Sequence, residues 1–265
     1  MTDSDHALAI DLDGTLLDGE SLSPRNRDAV RKALDAGFKV IIATARWRQM
    51  AERVAEEIGI DDLPLIACSG AQVYCTEIGQ DIYDTRLPET FVSQLFDICN
   101  SNRCIATATL NAHTWLKIDQ EPAADFVSEE MQWVQALPDH EELPRIATVQ
   151  GTETIKLVRE LHEAHFREQV NIFDSIGPSG RTVITITHKA ADKGIALTRA
   201  CEHLHIDPAN VIAFGDAEND VAMFRLAGTA VAMGQASDSV KSAAHHVTAP
   251  NTEHGVAEFI ERQLL

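Results

Sequence analysis

The chain has 265 residues, 45% hydrophobic and 24% charged, with 14 Gly and 9 Pro. That balance belongs to a soluble globular protein and excludes a disordered, collagen-like or short disulfide-stapled chain. Its 22 Lys and Arg against 41 Asp and Glu leave a formal charge of −19. Such a field repels nucleic-acid backbones and anionic lipid surfaces, and it obliges any phosphorylated ligand to find local cations. Five cysteines, Cys68, Cys75, Cys99, Cys104 and Cys201, form no CxxC pair and read as reduced, buried thiols. The stretch Met1 to His6 is polar and acidic, and no apolar run approaches the roughly 18 residues that span a bilayer. A cytoplasmic protein without membrane or nucleic-acid partners is the expectation; oligomeric state is left open.

Ala7 to Ile10 is a short apolar run ending abruptly in Asp11, the pattern of a buried parallel strand. Ser23-Pro24 then supplies a helix cap with proline at the first helical position, and apolar spacing through Ala29, Val30, Ala33 and Leu34 stops at Gly37. Phe38 to Ala43 predicts a second strand, Met50, Val54 and Ile58 a second helix, and Leu65 to Cys68 a third strand. Beyond Ser69-Gly70-Ala71 the pattern changes: a hairpin from Gln72 to Cys75 and Asp81 to Thr85, a helix from Pro88 to about Asn100, then more closely spaced strands. These fall at Arg103 to Thr109, Thr114 to Ile118, Ile146 to Gln150, Val170 to Asp174 and Thr182 to Thr187, with a helix across Thr152 to His165. From Lys193 the alternation resumes: a helix capped by Asp192, strand Val211 to Phe214, a short helix near Val221 to Leu226, strand Thr229 to Met233 and a closing helix from Glu253. Strands alternating with helices imply a parallel sheet. The fold class is therefore α/β, a doubly wound core of residues 1–82 and 188–265 interrupted by a mixed α+β insert, residues 83–187.

Open parallel sheets gather ligands at the carboxyl ends of their strands. The residues just past those ends are Asp11-Leu12-Asp13-Gly14-Thr15, Thr44-Ala45-Arg46, Ser69-Gly70 and Gly215-Asp216-Ala217-Glu218-Asn219-Asp220, and Lys193 opens the helix that re-enters the core. Carboxylates at i and i+2 before a Gly-Thr turn can set one acid beside a metal and the other beside a leaving group. An EF-hand does not fit, because Gly14 stands fourth from Asp11 rather than sixth. A second acidic cluster, Asp216 with Asn219 and Asp220, would repel the first without a cation, and hard oxygen donors in this number suit Mg²⁺. Lys193 and Thr44 add a fixed cation and a hydroxyl donor for phosphate oxygens.

This order of DxDGT, Thr, a long insert, Lys and GDxxND resembles the haloacid dehalogenase superfamily of aspartate-nucleophile phosphatases. With the closing Asn251-Thr252-Glu253-His254-Gly255-Val256-Ala257, it looks most like the Cof-type sugar-phosphatase subgroup. The resemblance implies a Rossmann-like core and a cap that selects the substrate. It also implies Asp11 as nucleophile, Asp13 as general acid and base, and Thr44, Ala45 and Lys193 as phosphate binders. Mg²⁺ would be held by the Asp11 carboxylate, the Asp13 backbone carbonyl and Asp216, with Asn219, Asp220 and Arg46 in support. Ala45 stands where the subgroup usually has Gly, and Ser69-Gly70 where it has Asn-Gly.

The expected activity is Mg²⁺-dependent hydrolysis of small phosphorylated metabolites, sugar phosphates first, through an aspartyl-phosphate. The alternatives are a phosphotransferase or mutase on the same intermediate, a pyridoxal phosphate or nucleotide phosphatase, and a metal-binding regulatory protein. His162-Glu163-Ala164-His165 falls one residue short of HExxH and reads as two solvated histidines; His203, His205, His245 and His246 read as surface, and Trp115 and Trp133 as packing. No Walker A or GxGxxG pattern occurs.

Overall fold

The computed structural model describes residues 6–61, 64–111, 113–119, 131–138, 142–177 and 180–265, and they divide into two units. One takes the described residues of Met1–Asp84 and Ala191–Leu265, the other those of Thr85–Ala190. The first begins with β1 (Ala7–Ile10), a small hairpin of β2 (Leu17–Asp18) and β3 (Ser21–Leu22), α1 (Pro24–Asp35), β4 (Lys39–Ala43), α2 (Arg48–Ile58), β5 (Pro64–Ala67), β6 (Gln72–Cys75) and β7 (Gln80–Asp84). The second unit contributes α3 (Glu89–Ser101), β8 (Ile105–Thr109), β9 (Thr114–Lys117), β10 (Met131–Val134), β11 (Ile146–Gln150), α4 (Thr152–Leu161), β12 (Val170–Ile176) and β13 (Thr182–His188). The first unit closes with α5 (Lys193–Leu204), β14 (Val211–Gly215), α6 (Val221–Phe224), β15 (Thr229–Ala232), α7 (Asp238–Ser242), β16 (His246–Val247) and α8 (Gly255–Gln263).

The first unit's sheet runs β16-β15-β14-β1-β4-β5-β6-β7. All pairings from β16 to β5 are parallel, and only β6 and β7 turn back antiparallel. Both faces are covered. Leu8 and Ile10 of β1 pack with Val30 of α1, Val54 of α2 and Ile260 of α8. Ala7 and Ala9 turn to the opposite face, where Ala43, Ala213, Ala230 and Ala232 meet Leu197 and Ala200 of α5 and Met223 and Phe224 of α6. Small side chains on that face let α5 lie close to the strands, which governs where its first residue, Lys193, arrives. Ser23 caps α1 by accepting from the Asn26 N–H, and Asp192 caps α5 by accepting from the Gly194 and Ile195 N–H groups.

The second unit is a sheet in the order β10-β9-β8-β11-β13-β12, antiparallel throughout except for β10 with β9. Phe91, Leu95 and Phe96 of α3 and Ile155 and Val158 of α4 bury Ala106, Ala147, Val149, Ile184 and Ile186 beneath them. The residues between, Thr107, Thr148 and Thr185, are only half-buried on the other face, the alternation of a one-sided sheet. Trp115 is buried in this core, whereas Trp133 is half-buried and donates to the Ile118 carbonyl.

The helix expected through His165 changes at its end. α4 stops at Leu161 and a single π-helical turn, His162–Phe166, follows. His162 is not solvated: its side chain is largely buried and its Nε2 donates to the Val170 carbonyl at 2.9 Å, while His165 is exposed. All five cysteines are free and buried. Among the described residues, no helix is long and apolar enough to cross a membrane.

Candidate active site

Four strands bring their carboxyl ends side by side, and each ends in a polar residue singled out from the sequence. Past β1, Asp11 is almost fully buried and its N–H still donates to the Phe214 carbonyl of β14. Past β14, the chain turns so that both Asp216 and Ala217 N–H groups donate to Asp220 Oδ2 at 3.0 Å. The other oxygen of Asp220 faces Lys193. Lys193 Nζ lies 2.6 Å from Asp11 Oδ1 and 2.6 Å from Asp220 Oδ1, all three groups buried. Carboxylate oxygens of Asp11, Asp216 and Asp220 lie within 4.8 Å of one another.

Two glycines make this approach possible. Gly14 has φ +76°, and a Cβ there would strike the Asp216 carboxylate. Gly70 has φ +91°, and a Cβ would sit 2.5 Å from the Asp192 carbonyl carbon and 2.7 Å from the Lys193 nitrogen. Gly70 thus lets the start of α5 press against the end of β5. The two residues before it, Cys68 and Ser69, also hold positive φ, 51° and 58°, a strained turn. It is tied down by hydrogen bonds from the Cys68 N–H to Arg46 O and from the Ser69 N–H to Thr44 O.

The electrostatics follow from the burial. Desolvation, and then the charge of Asp220, hold the Asp11 carboxyl well above the usual carboxylate range against the pull of Lys193. Burial likewise pushes Asp216 up to about 6, with Asp220 adding to it and Gln235, Lys193 and Thr15 opposing. Desolvation alone would lower Lys193, but the charges and hydrogen bonds of Asp11 and Asp220 outweigh it and keep the ammonium well above its ordinary range. Three carboxylates with one ammonium leave a net negative pocket. Asn219 Oδ1 is buried there without a partner. Hard oxygen donors with unbalanced charge fit Mg²⁺.

The Asp13 carboxylate stands apart from this cluster. It is half-exposed and takes hydrogen bonds from Arg46 Nε, shared between its two oxygens, and from Nη2 to Oδ1 at 2.6 Å, while Arg46 Nη1 reaches Glu20 at 2.6 Å. Thr44 is fully buried past β4 and its hydroxyl accepts from the Arg46 N–H; Ala45, next to it, is exposed. Gln235, which the sequence reading passes over, and Asn251, noted there only as part of the closing motif, join the site. Gln235 Nε2 donates to the Gly14 carbonyl at 2.5 Å and, more distantly, to Asp216 Oδ2 at 3.4 Å. Its Oε1 accepts from the Asn251 N–H, and Asn251 Nδ2 donates to Leu17 O at 2.9 Å. The usable signal for Gln235 is its place just past a strand end, the same rule that singles out the acids.

Residues 8–260 match the family model of the haloacid dehalogenase-like hydrolases. The chain belongs to that family. This haloacid dehalogenase-like hydrolase is 30% identical over 260 residues to the 5-amino-6-(5-phospho-D-ribitylamino)uracil phosphatase YcsE of Bacillus subtilis, covering 97% of this chain and 95% of YcsE. It is 29% identical to the pyridoxal phosphate phosphatase YbhA of Escherichia coli, over 97% and 98% of the two chains. Among solved structures, TM0651 from Thermotoga maritima superposes with a TM-score of 0.82 at 25% identity, covering 98% of each chain. Family and relatives together make this haloacid dehalogenase-like hydrolase a phosphatase.

Proposed function

We propose that this phosphatase hydrolyses small phosphorylated metabolites by Mg²⁺-dependent transfer of the phosphoryl group to Asp11, followed by hydrolysis of the aspartyl-phosphate. The observation that carries the reading is the buried Lys193 ammonium bridging Asp11 and Asp220 beside Asp216. A carboxylate can attack a phosphate dianion only where fixed cations offset their repulsion. Asp11, Asp216 and the Asp13 carbonyl would hold Mg²⁺, with Asn219 and Asp220 behind them, and the bound ion would neutralise charge on the transferring phosphoryl oxygens. Lys193 orients the Asp11 oxygen and supplies a second positive charge. The Thr44 hydroxyl and the Ala45 N–H at the end of β4 would receive the phosphate oxygens.

Asp13 protonates the leaving alcohol and then takes a proton from the attacking water. Its carboxylate is paired with the Arg46 guanidinium, so it must leave that pair to reach a leaving group. The inserted unit, residues 83–187 as read from the sequence, is proposed as the cap that selects the substrate. YcsE and YbhA are named for a phosphorylated ribityl compound and for pyridoxal phosphate. These, with sugar phosphates, head the candidates for this chain.

The test is phosphate release from a panel of sugar phosphates, nucleotides, pyridoxal phosphate and an aryl phosphate, with Mg²⁺ or EDTA, beside Asp11→Asn. Release that needs Mg²⁺ and disappears in a folded Asp11→Asn variant supports the mechanism. Release that survives either change overturns it, and transfer to an added sugar in preference to water would mark a mutase instead.

A further inference from the structure

Among the described residues, one more cluster of metal-donor side chains occurs, and the phosphatase chemistry makes no use of it. Cys75 ends β6, Glu77 lies two residues on in the turn to β7, and His203 sits in the last turn of α5. Their donor atoms, a thiol sulfur, a carboxylate oxygen and an imidazole nitrogen, lie within 4.8 Å of one another. Cys75 is buried, His203 half-buried and Glu77 exposed, so the cluster has a protein side and an open side. Ten residues of α5 separate His203 from Lys193, about 15 Å along the helix, so this place is distinct from the catalytic carboxylates.

We propose that Cys75, Glu77 and His203 form a Zn²⁺ site. The donor set selects the metal: sulfur and imidazole nitrogen favour Zn²⁺ and reject Mg²⁺, the reverse of the all-oxygen cluster around Asp11. The geometry is close to what the ion needs. Cys75 Sγ and His203 Nε2 are 3.2 Å apart. A tetrahedral site with sulfur at about 2.3 Å and nitrogen at about 2.05 Å requires roughly 3.5 Å between them. An adjustment of a few tenths of an ångström opens the pair, and the exposed Glu77 carboxylate closes the third position by rotation. A thiolate and a carboxylate together balance the dication, with imidazole neutral, so the occupied site carries no net charge. The fourth position faces solvent and is left for water. In binding, the metal replaces the Cys75 thiol proton, which passes to solvent, and ties the end of α5 to the β6–β7 hairpin.

Co²⁺ reports on such a site directly, because thiolate coordination produces a charge-transfer absorption that oxygen ligands cannot. The full-length protein, stripped of metal, should bind one Co²⁺ per chain with that band and with intense tetrahedral d–d absorption. Stoichiometric Zn²⁺ should bleach both, and excess Mg²⁺ neither. Cys75→Ser should abolish the charge-transfer band. His203→Gln, at a half-buried position, should weaken Co²⁺ binding at the thiolate band by more than about a hundredfold in protein that still unfolds cooperatively, since even outer-shell partners of a metal site are worth ten- to a hundredfold. Absence of a thiolate band in the wild-type protein overturns the proposal. So does a band that persists in Cys75→Ser, or Co²⁺ affinity unchanged in His203→Gln.

Discussion

Asp216→Asn should stabilise the metal-free protein while removing its response to Mg²⁺. Asp216 is pushed up to about 6 by burial and by Asp220, whereas an unfolded aspartate ionises near 3.9. Between those values the folded state keeps a proton that the unfolded state has lost, so stability falls as pH rises, and the full cost is present above about pH 6. Two units at about 1.36 kcal/mol each set a ceiling near 3 kcal/mol. Asp216 is only partly buried, and solvent screening brings the expected gain from its amide to about 1–2 kcal/mol. The assay is urea denaturation in EDTA across about pH 4 to 8 for both proteins, then thermal unfolding with and without millimolar Mg²⁺. The variant should be the more stable at the alkaline end and equal to wild type at the acid end, and only wild type should be stabilised by Mg²⁺. A variant less stable at all pH values, or a gap that does not change with pH, would refute the claim that burial, with the neighbouring Asp220, holds the Asp216 carboxyl above its ordinary range.

Lys193→Met leaves Asp11 and Asp220 buried without their shared ammonium and should cost about 3–5 kcal/mol near neutral pH, less in acid where Asp11 is protonated. Denaturation at two pH values separates this from a simple packing defect. Gly70→Ala combines a φ of +91° with a Cβ 2.5 Å from the Asp192 carbonyl carbon. It should destabilise by more than about 2 kcal/mol and lower kcat, because Lys193 follows directly; unfolding curves and steady-state kinetics measure both. Residues 85–190, expressed alone, should unfold cooperatively, since α3, α4 and their sheet enclose a core of their own. A non-cooperative far-ultraviolet melt would argue against the division.

The strand ends of the doubly wound sheet were legible because each acid follows an apolar run directly: Ala7 to Ile10 before Asp11, Val211 to Phe214 before Gly215-Asp216. A buried parallel strand leaves that mark whatever surrounds it. What stayed hidden has physical reasons. β2 and β3 have two residues each, and β16, His246-Val247, is exposed, so none offers a pattern to read. β10 reads Met-Gln-Trp-Val and joins the sheet only through its pairing with β9, a tertiary contact. The positive φ of Cys68 and Ser69 opposes local preference and is imposed by the bonds to Thr44 and Arg46. No spacing rule announces that the Asp13 side chain pairs with Arg46, which also holds Glu20, a choice made by a residue 33 positions away.

The pairing of β1 with β14 brings Ala7 beside Val211, and Thr15 and Asp216, which meet across it, are 201 residues apart in the chain. On the ribosome the central strand of the sheet, paired early with β4, must therefore wait through most of the synthesis for its second neighbour. The contiguous segment 85–190 emerges in between and can acquire its core first, removing a long floppy loop from the closure that follows, at about 0.6 kcal/mol for each halving of loop length. Aspartate, lysine and the second acidic cluster come together only at that last step. The nascent chain accordingly gains its inserted unit before the candidate site is assembled, and a truncation anywhere before β14 yields a protein without the second acidic cluster of that site.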